Sequence, residues 1–315
     1  MPSQIIDAAI VIYENRPSHE IALKLLLLSL KAHSPQADIH IFAPQATDSF
    51  QDWVSSHSVS SHLHLQSPSV ATGINVKADA LLWALDRGYT RSMWLDSDII
   101  LSNPLPKILL DQPTNVLVAS ELPKPSKTHE RTLGWGLETG RSFVYNPSAC
   151  CIQVTQAHRP LLEQWKNMME SSEYKTWQAR PRNERPRHAR GSDALLIALL
   201  GSKQYENLPI RLLRNGRDIA HCGTPSSYSS IQRLMSLSWG VPPIIHAMAK
   251  KPWLAQGNQL IYATISPYTC VARRYKELLQ EDPEWLEIPK NWLGIWHNLF
   301  RGHPALSSLP LAIRS

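Results

Sequence analysis

Short apolar runs alternate with longer stretches of helical periodicity along most of the chain. "AAIVIY" (8–13) reads as a buried strand, and "SHEIALKLLLLSLKAHSP" (18–35) as the helix that follows it. Ser18 is the N-cap candidate there, Glu20 suits the first turn and Pro35 marks the end. Apolar nearly all round, this helix belongs in the interior. "DIHIFAP" (38–44) and "LHLQ" (63–66) are the next strands, and "NVKADALLWALDRG" (75–88) sets Leu81, Leu82 and Leu85 at helical spacing before Gly88. "SMWLDSDIIL" (92–101), "NVLVAS" (115–120) and "ACCIQV" (149–154) read as further strands, "GSDALLIALL" (191–200) opens a helix, and "PPIIHAMAKKPW" (242–253) is a strand running into a turn. Strand and helix in succession predict an α/β fold with a mainly parallel sheet flanked by helices, whose ligands sit at the carboxyl ends of the strands. Residues 121–142 and the arginine-rich 178–190 read as long mobile loops.

After residue 268 the pattern changes to "ARRYKELL" and "EWLEIPKNWLGIWHNLF", helical and crowded with Trp285, Trp292 and Trp296. The expected division is an α/β domain over 1–268 and a helical, Trp-rich extension over 269–315. The extension reads as a helix packed on the domain, while its mix of Trp, Lys and Arg leaves peripheral membrane contact open.

Composition adds a few bounds. The 315 residues are long enough to bury a sizeable core, and a net charge of +6 suits an anionic small molecule or a membrane surface without demanding nucleic acid. Cys150 and Cys151 sit in an apolar run and no C-x-x-C occurs, which favours buried thiols in a reducing compartment. The first residues lack the basic start of a signal peptide, and "IALKLLLLSL" is too short to span a bilayer. The expectation is a cytoplasmic protein, held to a membrane at most from one side.

Two carboxylates interrupt the apolar run around residue 96. Asp96 and Asp98 alternate onto one face of the strand, and a turn at its carboxyl end lets both converge on one divalent cation. Hard oxygen ligands suit Mg²⁺ or Mn²⁺, ions that keep positions free for substrate phosphates. The competing reading is a strand end whose aspartates cap the turn at "SNPLP". His246, which also ends a buried strand, offers a third ligand through a neutral imidazole nitrogen, and Lys250 and Lys251 offer charge to a diphosphate.

"YTRSMWLDSDIILSNPL", preceded by "VKADALLWAL" and followed much later by "IIHAMAKKPW", resembles the GT-A-fold glycosyltransferases, in particular the family eight group of retaining, metal-dependent, nucleotide-sugar enzymes. The resemblance runs from about residue 7 to 253 and implies a GT-A-like, Rossmann-related fold. It implies Asp96, Asp98 and His246 as ligands of Mn²⁺ or Mg²⁺, with Asp96 also reaching the donor's ribose or sugar. Lys251 would touch the diphosphate, Lys77 the donor sugar or its phosphates, and Tyr13, Glu14 and Asn15 the nucleoside. The partners implied are a nucleotide diphosphate sugar, a uridine one by preference, and a saccharide or glycolipid acceptor.

The sequence departs from the family at defined places. Gly191-Ser192-Asp193 stands where the family has Asp-Gln-Asp, so Ser192 and Asp193 are the candidate catalytic pair beneath the anomeric carbon. The acceptor-side Asn is replaced by Ser148 unless Asn146 takes its place, and the Gly after the metal-binding His is missing. A sugar nucleotidyltransferase and a non-catalytic sugar-nucleotide-binding protein are the rival readings. Against the first, "YENRPSHE" holds no glycine for a phosphate loop.

Overall fold

The computed structural model describes residues 8–57, 61–71, 73–222, 240–248, 251–256 and 266–287. A seven-stranded sheet runs in the order β3–β2–β1–β4–β7–β6–β8, with β1 Ala8–Tyr13, β2 Asp38–Phe42, β3 Ser61–His64, β4 Arg91–Leu95, β6 Leu117–Pro125, β7 Tyr145–Thr155 and β8 Ile210–Leu213. β3, β2, β1 and β4 pair in parallel, as do β6 and β8, while β7 runs antiparallel to both its neighbours. A second, three-stranded sheet has β5 Ile99–Leu101, β10 Ile244–His246 and β9 Ile219–His221 in that order.

The helices are α1 Glu20–His33, α2 Asp48–Ser56, α3 Lys77–Asp86, α4 Lys107–Leu110, α5 Thr128–Gly134, α6 Arg159–Glu170, α7 Ser172–Gln178 and α8 Ser192–Leu200, with a further helix Pro267–Ala272. Alternation along β1 sorts the core. Ile10 and Ile12 join α1, α2 and the second sheet on one side, whereas Ala9, Val11 and Tyr13 join α3, α6 and α8 on the other. A parallel sheet covered on both faces reads as a continuous apolar run, which is how "AAIVIY" reads. Among the described residues no helix is long and apolar enough to cross a membrane.

α1 is the interior helix its composition predicts, with every residue from Ala22 to Leu30 buried. Each such leucine contributes roughly 1.5–3 kcal/mol by leaving water. Lys24 tolerates the interior because Glu281 pairs with it and its ammonium lies 5.6 Å over the Trp53 ring. The helix starts later than Ser18: a 3-10 turn covers Pro17–His19, and the N-cap is His19, which makes no side-chain cap. Glu20 instead accepts 2.7 Å bonds from the backbone N–H and hydroxyl of Thr47, tying α1 to the start of α2.

Three expectations change more substantially. "SMWLDSDIIL" is not one strand: β4 ends at Leu95, Asp96 to Asp98 form a turn, and Ile99 starts β5 in the other sheet. The aspartates therefore converge through the turn, not through strand alternation. Residues 121–142 are not wholly irregular, since β6 continues to Pro125 and α5 follows. The 178–190 segment is fastened by polar contacts, both within itself and from Trp135. Gln178 donates to the Ala189 carbonyl at 2.6 Å, and the Trp135 indole donates to the His188 carbonyl at 2.9 Å. At the other end, Tyr268, Tyr275 and Trp285 belong to the same apolar cluster as α1 and β10, and Trp285 packs 6.3 Å from the rings of Trp253 and Tyr268. Trp292 and Trp296 lie outside the described residues.

Candidate functional site

Asp96 and Asp98 are placed by a turn pinned at three backbone points. The Asp96 N–H donates to the Cys150 carbonyl at 2.8 Å, the Ile99 N–H to the Asp96 carbonyl at 3.1 Å, and the Ala247 N–H to the Asp98 carbonyl at 2.9 Å. The last bond joins the turn to the residue after His246, because β5 and β10 pair antiparallel with His246 opposite Ile99. Between the two aspartates, Ser97 donates to Glu14 at 2.6 Å.

These constraints gather Asp96, Asp98 and His246, whose ligand atoms all lie within 4.8 Å of one another. The His246 Nε2 atom is 3.3 Å from Asp98 Oδ1 and 3.9 Å from Asp96 Oδ2. Two lysines close the cluster. Lys251 pairs with Asp98 Oδ2, and Lys77 Nζ lies 2.8 Å from Asp96 Oδ1, an oxygen that also accepts from the Trp94 indole at 2.6 Å. Burial works to raise the Asp98 carboxyl, but His246 and Lys251 outweigh it and hold it far below the ordinary carboxylate range. Burial likewise works to deprotonate His246 and Lys77, and the facing carboxylates reverse both shifts.

A second histidine fixes which nitrogen of His246 faces the carboxylates. His221 Nε2 donates to the Glu121 carbonyl at 2.9 Å, leaving a lone pair on its Nδ1. His246 Nδ1 is 3.0 Å from that atom and donates to it, so Nε2 is the atom turned toward the aspartates. Burial, with His246 beside it, pushes His221 down to about 3 and keeps it neutral in this role.

Two carboxylates and an oriented imidazole fit a divalent cation. Such a donor set of two carboxylate oxygens and one imidazole nitrogen would suit Mg²⁺ or Mn²⁺, ions that also take phosphate oxygens. The cation would take the place of the His246 Nε2 proton and relieve the dense pairing with Lys77 and Lys251.

The cluster opens into a pocket of about 530 Å³ at the carboxyl ends of β1 and β4, lined by Tyr13, Glu14, Asn15 and Lys251 among others. Asn15 is half-buried in the pocket wall, whereas Tyr13 is only 6% exposed and its hydroxyl is buried. The Glu14 carboxylate is already engaged: it takes three bonds from Arg16, at 2.7, 2.7 and 3.0 Å, besides the one from Ser97. Lys77 stands at the centre of the cleft, 4.0 Å from Asp193 as well as beside Asp96, and donates to the Ala149 carbonyl at 3.2 Å. Asp193 accepts from the Ser148 hydroxyl at 2.9 Å. Ser192 is 1% exposed and its carbonyl accepts from the Trp165 indole at 3.0 Å, whereas the Asp193 side chain is 36% exposed. Lys250 lies outside the described residues.

No family model and no curated protein matches this sequence. Solved structures do match its fold. The bifunctional glycosyltransferase WbbM, in its apo structure, aligns over 91% of this chain at 12% identity with a TM-score of 0.54, and this chain spans 51% of its length. The galactosyltransferase LgtC, in complex with donor and acceptor sugar analogs, aligns over 91% of this chain and 99% of its own at 15% identity with a TM-score of 0.50. The fold is that of the GT-A glycosyltransferases.

In this GT-A fold the residues expected to act together, Lys77, Asp96, Asp98, Asp193, His246 and Lys251, do converge on one cleft. Sequence reasoning passed over His221, Ser97 and Trp94. For His221 a signal existed: "IAH" (219–221) and "IIH" (244–246) are matched strands, and they pair in parallel with His221 level with His246. Nothing in the sequence announced that Ser97 would tie the aspartate turn to Glu14.

Proposed function

We propose that this protein is a metal-dependent glycosyltransferase. It moves a hexose from a uridine diphosphate sugar to a saccharide or lipid-linked acceptor, with retention of anomeric configuration. The observation that carries this reading is the Asp96–Asp98–His246 cluster, with Lys251 on its edge, opening into the pocket beside Tyr13 and Asn15.

Asp96, Asp98 and His246 would hold a divalent cation, Mn²⁺ or Mg²⁺, which when bound would supply positive charge to the departing diphosphate. Lys251 donates to the same diphosphate oxygens, and release from Asp98 frees its ammonium for the task. In the transfer, the acceptor hydroxyl oxygen bonds to the anomeric carbon while the bond from that carbon to the diphosphate breaks. The diphosphate keeps the electron pair and takes the hydroxyl proton. The sugar acquires oxocarbenium character, which needs a nearby oxygen of negative charge. Asp193 serves here better than Ser192, because it carries a carboxylate and its side chain is 36% exposed, against 1% for Ser192. Lys77 and Ser148 hold that carboxylate in place.

Thermal denaturation with uridine diphosphate, with and without Mn²⁺, tests the reading. At a hundred times the dissociation constant, binding stabilises the folded state by about 2.7 kcal/mol, or roughly 4 °C in a chain of this size. A shift that does not require the metal, or no shift, refutes the proposed site. Donor hydrolysis over a panel of nucleotide sugars then separates an enzyme from a binding protein. The deep burial of Ser192 keeps that second reading in play, and nucleotide binding without turnover would favour it.

A further inference from the structure

The cleft continues past Lys77 and Asp96 into a second lobe of about 550 Å³. Arg131 reaches it from α5, Arg182, Arg185, Arg187 and Arg190 from the segment between α7 and α8, and Lys127 from the start of α5. The carboxylates lining this lobe are Asp96 and Asp193, both already facing Lys77.

The cations have few counter-charges of their own. Lys127 and Arg187 share Glu130, at 3.7 and 3.5 Å, and that carboxylate is half exposed. Arg185 spends its guanidinium on neutral acceptors, the Arg180 carbonyl and the side-chain and backbone oxygens of Gln178. Arg190 donates to the Arg185 carbonyl at 3.2 Å. Arg182 makes no ion pair among the described residues. Arg131 donates to Asn146 at 3.1 Å, and its Nε is buried without a hydrogen-bond partner. Burial lowers the Arg131 pKa, and the like charges of Arg187 and Arg190 lower it further against the pull of Glu130. Packing several guanidiniums into one cleft costs free energy unless an anion enters, and planar forks of this kind match phosphate and carboxylate oxygens.

The donor diphosphate does not account for them. Asp98, His246 and Lys251 line only the other lobe, Asp96 and Lys77 stand where the two lobes meet, and of the five arginines only Arg182 lines both. On the glycosyltransferase reading, the second lobe is where the acceptor meets Asp193. We infer that the acceptor is an anionic saccharide, bearing a phosphate or carboxylate close to the hydroxyl that is glycosylated. Arg131, Arg187 and Arg190 bind that anion and set the acceptor's orientation, which makes them specificity residues.

The test is ligand-observed NMR of glucose 6-phosphate, glucuronate and glucose, with uridine diphosphate and Mn²⁺ saturating so that the donor lobe is filled. At least one anionic probe should bind tenfold or more tightly than glucose, with an advantage that shrinks as salt is raised. The Arg187→Gln/Arg190→Gln double variant should lose that advantage while keeping the nucleotide-dependent thermal shift, which also reports that it is folded. Which anionic probe binds more tightly separates phosphate from carboxylate recognition. Equal binding of glucose and both anions, or a preference that survives the double substitution, overturns the inference and leaves the glycosyltransferase reading standing. Loss of the metal-dependent nucleotide shift in the parent protein sinks that reading instead.

Discussion

Replacing Asp98 by Asn tests the electrostatic core of the site with little change in shape. Asp98 is 5% exposed and faces both the His246 ring at 3.3 Å and the Lys251 ammonium. Asn removes the negative charge and leaves two cations against a neutral amide. Removing one partner from a buried ion pair costs about 3–5 kcal/mol. The lower end applies here, because His246 relieves the strain by losing its proton and Lys251 retains a bond to the Ala247 carbonyl at 2.8 Å. A loss of about 3 kcal/mol corresponds to roughly 4–5 °C in melting temperature. Scanning fluorimetry of parent and variant, at low and moderate salt, measures it, and a buried pair predicts little dependence on salt. The same samples with uridine diphosphate and Mn²⁺ should show the parent gaining stability and the variant gaining almost none. A variant that melts within a degree of the parent and keeps the metal-dependent shift would refute both the pairing and the ligand assignment.

Other substitutions separate positioning from binding. His221→Phe fills the same apolar space but gives His246 Nδ1 no acceptor, and should weaken Mn²⁺ binding by roughly 10–100-fold in calorimetry with the nucleotide present; unchanged affinity would dismiss the role of His221. Gly191 has φ 151° and ψ 179°, and an added Cβ would lie 3.2 Å from the Ile74 side chain. Gly191→Ala should cost about 1–3 kcal/mol and displace Asp193, lowering transfer more than nucleotide binding; full activity would show that α8 tolerates the shift. Burial pushes His40 down to about 4, against the pull of Asp38 and with His62 and His64 beside it. The unfolded chain therefore takes up this proton near pH 6.5 and the folded protein only near 4. Stability should fall as pH drops through that window, by on the order of 3 kcal/mol from this group. Urea titrations at pH 7 and 4.5 measure the slope, and His40→Gln should flatten it.

Much of the architecture was legible in local pattern. "AAIVIY" and "ALKLLLLSL" carry their burial in composition, since a strand covered on both faces and a helix enclosed on all sides need apolar residues at nearly every position, with Lys24 and Ser29 the paired exceptions. The D-x-D and the distant His246 were legible because ionisable groups at the ends of buried strands demand compensation. Strand boundaries were less so. Nothing in "SMWLDSDIIL" says that Leu95 and Ile99 belong to different sheets, because both are equally buried in β strands and only the partner strands differ.

The sequence by itself determined the residue types at the cleft and the α/β order that carries them to the carboxyl ends of strands. Tertiary structure alone decided which of them meet. Asp98 finds His246 because β5 pairs with β10, a contact between residues some 150 positions apart that no local preference encodes. His221 becomes the orienting group because β9 lies parallel to β10 in one particular register. The arginines that read as a long mobile loop are brought beside α5 and α8 by packing, with the Arg185 and Arg190 guanidiniums held by neutral carbonyls.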